Sequence, residues 1–167
     1  MTRAFDDASI RVHARIIRAG IIQSLPGEVR NPFLRGACVI SSYVLSRALR
    51  DAGFNAKLAG GAFTMGGRRF GHSWVTVGDD IIDITATQFL IGDTVFVPTT
   101  KERREYYREY WRGGRILARA RRTHSERVKW MLTPTGADRI AGAAYARHAL
   151  ESGDPSVRLS PSVGGAQ

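Results

Sequence analysis

The chain has 167 residues, 43% of them apolar and 24% charged, the composition of one globular domain with a real hydrophobic core rather than of a disordered or fibrous protein. Nothing approaches the roughly 18 consecutive apolar residues of a membrane span, no apolar run follows the opening MTRAFDDAS, and a single cysteine rules out an intrachain disulfide framework, so a cytoplasmic protein without membrane contact is expected. The net charge of +10 is uneven: residues 101–130 supply +7 of it, so a partner with negative charge is expected only through that segment.

DDASIRVHARIIRAGIIQSL predicts an opening amphipathic helix, capped by Asp6 or Asp7, with Ile10, Ile17 and Ile21 on helical spacing. PGEVRNP breaks it as a loop. A second helix is expected from Cys38 to Ala52, with Ile40, Val44 and Leu45 on its buried stripe and Gly53 as its stop. FNAKLAGGAF predicts a strand, TMGGRR a turn, GHSWVTV a second strand and IIDIT a third after the GDD turn. From Lys101 to Leu132 the composition is helical, interrupted at Gly113-Gly114, and GADRIAGAAYARHAL predicts a last helix. The domain is thus expected over 1–150, with its core at about 33–90 and a basic helical part at about 100–150. Residues 151–167, rich in Ser, Gly and Pro, are expected to form a disordered tail.

Cys38 sits at a helix start, where the aligned peptide dipoles favour thiolate over thiol. A thiolate nucleophile needs an imidazole as proton shuttle and a third group to hold that imidazole. Of His13, His72, His124 and His148, only His72 falls on a strand in the middle of the chain, and Asp83 follows eleven residues later on the next strand. A two-residue turn at Gly78-Asp79 pairs Val77 with Asp80 and Trp74 with Asp83, and a four-residue turn pairs Thr76 with Asp83. Either places His72 and Asp83 on one face, whereas a three-residue turn separates them. Taken singly, a lone cysteine is commonly an inert core residue and a lone histidine a structural one. An aspartate inside an apolar strand needs partners. Together they point to a Cys38–His72–Asp83 triad.

The stretches GACVISSYVLSRALRDAGFNAKLAGG and GHSWVTVGDDIIDITATQF resemble the core of the transglutaminase-like branch of the papain-like cysteine proteins. There a Cys opens a central helix, a His lies in an H-[AS]-W-V-like strand and an Asp closes the triad; Cys38, His72 and Asp83 match these positions one by one. The segment Asp83 to Phe89 is also similar to bacterial members, including papain-fold toxin domains. The resemblance covers residues 33–90 and implies an α+β fold with a nucleophile helix packed on a small antiparallel sheet. It also implies a cysteine hydrolase or acyl transferase acting on an amide bond (a peptidase, deamidase or transglutaminase-like enzyme) through a thioester, with a protein or peptide substrate. Many papain-like peptidases carry a Gln shortly before the Cys to help bind the oxyanion, and NPFLRG has none. Asn31, Gln88 and the backbone N–H of Cys38 are the candidates for that task.

Within KERREYYREYWRGGRILARARRTHSERVKW, Arg108, Arg112, Arg115, Arg119 and Arg122 recur at alternating four- and three-residue steps, which on a helix aligns them along one face. With Tyr106, Tyr107, Tyr110 and Trp111 interleaved, such a stripe suits phosphates and stacked bases, an acidic protein, or plain solvation. The aromatics favour packing the helix on the sheet over stacking bases, so nucleic acid is the less favoured partner. Scattered histidines show no metal-ligand spacing, and no Gly-rich phosphate loop is present, so neither metal nor other cofactor is expected. The rival reading is a non-catalytic binding module whose triad is structural or decayed and whose basic helices engage nucleic acid or an acidic protein.

Overall fold

A computed structural model describes residues 7–27, 34 and 36–157. The chain runs α1 (Asp7–Ser24), α2 (Cys38–Asp51), β1 (Ala56–Met65), β2 (Arg68–Val77), β3 (Asp80–Ile82), α3 (Thr100–Tyr106), β4 (Tyr107–Arg112), α4 (Gly113–Thr123), α5 (Glu126–Lys129) and α6 (Pro134–Ser152), with 3-10 turns at Ala86–Phe89 and Trp130–Leu132. This is a mixed α+β architecture around a four-stranded antiparallel sheet ordered β3-β2-β1-β4. The expected capping aspartate of α1 lies outside the described side chains, as does the tail from residue 158 on. Helix α6 continues through Ser152 and ends on Gly153 in the left-handed conformation. Among the described residues, no helix is long and apolar enough to cross a membrane.

Helices α1, α2 and α6 share one apolar core. Ile10, Ile17 and Ile21 of α1 are fully buried there, as are Val44 and Leu45 of α2, and α6 contributes Ile140, Ala141 and Ala144. Full burial of one such isoleucine or leucine side chain is worth about 1.5–3 kcal/mol. Residues 73, 75 and 77 of β2 alternate with 72, 74 and 76. Val75 and Val77 join the helical core, whereas Trp74 joins a second cluster with Phe63, Ile81, Phe96 and Tyr107.

The hairpin β1–β2 closes on Gly66 and Gly67, both with positive φ, so the strands reach closer to the tip than the TMGGRR turn predicts. The next turn takes the two-residue register, with Val77 opposite Asp80 and Val75 opposite Ile82. Strand β3 ends at Ile82, and Asp83 instead bridges Phe96 in the returning chain.

The expected helix from Lys101 to Leu132 is not formed as such. The capping box of Thr99 and Glu102 starts α3, but the chain turns extended at Tyr107 and adds β4 to the sheet edge. Two local causes favour this. YREYWR is rich in aromatics that suit a pleated surface, and Gly61 of β1 leaves room for it. A Cβ on Gly61 would stand 1.9 Å from the Arg108 carbonyl oxygen. The arginine stripe is therefore split. Arg108 and Arg112 lie on β4, and only Arg115, Arg119 and Arg122 share a helix, α4.

Candidate active site

Cys38 is the first residue of α2, half-buried, and no side chain caps this helix start. The first-turn N–H groups, that of Cys38 among them, therefore have no capping acceptor on Ala37, the residue before the helix. One turn further along, Ser42 donates to the backbone carbonyl of Ser73 at 3.0 Å, which pins α2 to β2 beside His72. The sequence offers no signal for this role beyond a serine four residues after the cysteine.

His72 and Asp83 have fully buried side chains, and His72 Nε2 lies 2.6 Å from Asp83 Oδ2. Burial alone would depress the histidine pKa. The charge and hydrogen bond of Asp83, joined by hydrogen bonding and charge from Cys38, outweigh it and push His72 up to about 10. Cys38 and His72 line one and the same pocket. With Nε2 committed to Asp83, Nδ1 is the nitrogen left for the thiol.

Asp83 has both oxygens occupied. Oδ1 accepts from the Thr85 backbone N–H at 2.8 Å and the Thr85 hydroxyl at 3.0 Å, and Oδ2 accepts from His72 and from the Tyr107 hydroxyl at 2.8 Å. Burial would raise its pKa, but the His72 charge and hydrogen bond, then Thr85 and Tyr107, hold it below the ordinary carboxylate value. Burial and the neighbouring carboxylate keep the Tyr107 phenol far above its usual pKa, so it stays a proton donor to Asp83. Like Ser42, Tyr107 and Thr85 have roles that sequence reasoning missed. From α1, Arg18 donates to the Ile84 carbonyl at 3.1 Å and to Thr87 at 3.3 Å, fixing the segment that carries Thr85 and Gln88.

Gln88 also meets the site. Its amide donates to the Thr85 carbonyl at 3.1 Å and stands 3.4 Å from His72 Nδ1. Phe89 packs edge-on against the imidazole. Asn31, the other side-chain candidate for the oxyanion, lies outside the described residues.

A pocket of about 490 Å³ is lined by Cys38 and His72 together with the end of β4 and α4. Arg115, Arg119 and Arg122 line it together with Trp111, whereas Arg108 and Arg112 do not. The exposed Arg112 instead pairs with Glu109. The aromatics divide likewise: Tyr107 is buried beside Asp83, while Tyr110 and Trp111 remain exposed rather than packing a helix on the sheet.

Comparison with protein-family models, curated proteins and solved structures finds no match for this chain.

Proposed function

We propose that this protein is a cysteine-dependent hydrolase or acyl transferase acting on an amide bond through a thioester, within the transglutaminase-like branch of the papain-like proteins that its motifs resemble. The observation that carries the reading is the buried His72–Asp83 pair at 2.6 Å, with Cys38 at a helix start lining the same pocket as that imidazole. A histidine held protonated at neutral pH beside a cysteine is the arrangement that supports an imidazolium–thiolate pair.

The Cys38 thiolate attacks the carbonyl carbon and forms a C–S bond, while the carbonyl oxygen gains negative charge near the Cys38 backbone N–H. As the tetrahedral species collapses, the C–N bond breaks and His72 gives its Nδ1 proton to the leaving amine. The thioester remains on Cys38. Neutral His72 then takes a proton from water, the hydroxide adds to the acyl carbon, and the thiolate leaves. An amine in place of water gives transamidation through the same thioester. Asp83, kept ionised by His72, Thr85 and Tyr107, fixes the tautomer with Nε2–H toward itself throughout.

The test is acylation by p-nitrophenyl acetate. The wild type acquires an acetyl group on Cys38, seen by peptide mass spectrometry, and releases it over time. Cys38→Ala acquires none, and Asp83→Asn acquires it slowly. Acetylation spread over lysines, with none on Cys38, contradicts the reading.

A further inference from the structure

We infer that the pocket selects acyl donors with carboxylates beside the attacked carbonyl, so the substrate is an acidic peptide segment. This rests on the cysteine-hydrolase reading above and adds the substrate class to it. Arg115, Arg119 and Arg122 stand at i, i+4 and i+7 on α4 and line the same cavity as Cys38 and His72. All three are exposed, and no aspartate or glutamate lines that cavity. Among the described residues no ion pair engages any of the three, whereas nearby Arg112 is taken up by Glu109. Arg119 is also pre-placed, its guanidinium 5.7 Å from the centre of the Trp111 ring. Beside the arginines on α4, the buried Ile116 and Ala120 anchor the helix in the core and also line the cavity, so the cations are held at its wall.

Arginines in fork geometry bind carboxylates with two parallel hydrogen bonds, and a concave wall of one sign concentrates the opposite charge. A cavity of about 490 Å³ holds a few residues of an extended peptide across the cysteine. Peptide is favoured over nucleic acid because the cations converge on a group that attacks carbonyls. The more exposed aromatic, Tyr110, lies outside the cavity and is covered by Arg69.

The experiment compares twin peptidyl chloromethyl ketones, one bearing glutamates and the other glutamines. In each, the Cys38 sulfur displaces chloride to form a thioether. At low ionic strength the glutamate probe is expected to label Cys38 at least about tenfold faster, with the ratio shrinking as salt is raised. Arg115→Gln, Arg119→Gln and Arg122→Gln together bring the ratio close to one. Arg139→Gln, an exposed site on α6 outside the cavity, leaves it unchanged. Equal labelling by the twins in the wild type overturns the inference, and so does a ratio that survives loss of all three arginines. Single-stranded RNA that blocks both probes at lower concentration than free acidic peptide also overturns it, assigning the arginines to phosphates. Uncharged iodoacetamide reads the underlying chemistry separately. Alkylation slowed by His72→Ala, with no preference between the twins, removes only the acidic selectivity. Alkylation indifferent to His72→Ala removes the cysteine-hydrolase reading itself.

Discussion

Tyr107 donates its hydroxyl to Asp83 Oδ2 at 2.8 Å, the same oxygen that meets His72 Nε2 at 2.6 Å. The two residues come from separate parts of the chain, Tyr107 opening the edge strand β4 and Asp83 following β3. The bond ties the basic half of the molecule to the carboxylate that holds His72. It also supplies one of the donors without which a buried carboxylate would be costly.

Tyr107→Phe keeps the ring in its apolar cluster and removes only that donor. Loss of a hydrogen bond to a charged acceptor is expected to cost about 1.5–3 kcal/mol of stability, read from urea unfolding. The esterase rate should fall with it, since Asp83 then holds His72 less firmly.

Asp83→Asn preserves shape and removes the charge that favours the imidazolium. Esterase turnover is expected to drop on the order of 10³–10⁴-fold, while the far-ultraviolet circular dichroism stays native. A loss of only a few-fold would mean that the pair is structural.

Stability should be greatest near pH 6.5. His72 has its folded-state pKa raised from 6.5 to about 10, so its contribution is complete below 6.5 and lost as pH climbs through 10. His13, 2.6 Å from the Tyr145 hydroxyl, is shifted the other way by burial, so its contribution is present above 6.5 and lost as pH falls below it. Asp83, shifted down from 3.8, adds a further loss at lower pH. Urea midpoints across pH check the shape, and His13→Gln should flatten the acid side nearest 6.5.

Gly61→Ala tests how β4 is held. The added methyl meets the Arg108 carbonyl, so the edge strand must move away and carry Tyr107 from Asp83. Expected are a loss of at least about 1–3 kcal/mol and reduced esterase activity. An alanine variant of native stability would show that the strand tolerates displacement.

Much of this arrangement could be read from local pattern. The Ile10, Ile17 and Ile21 spacing marks the buried face of α1, and the Gly78-Asp79 turn sets a register that puts His72 and Asp83 on one side of the hairpin. The basic half resisted that reading because Lys, Arg and Glu raise helix propensity over a segment whose conformation is decided by a distant neighbour. The clue was Gly60-Gly61 inside β1, where missing side chains signal the close approach of another backbone. Ser42 and Tyr107 act through contacts across the fold, to the Ser73 carbonyl and to Asp83, that periodicity within one element does not encode.

Activation of Cys38 by His72 can be read from the rate of Cys38 alkylation by iodoacetamide near neutral pH. The wild type is expected to react faster than a free cysteine, and His72→Ala and Asp83→Asn, both retaining native circular dichroism, are each expected to slow the reaction substantially. A wild-type rate no greater than that of free cysteine, unchanged in both variants, would contradict that activation.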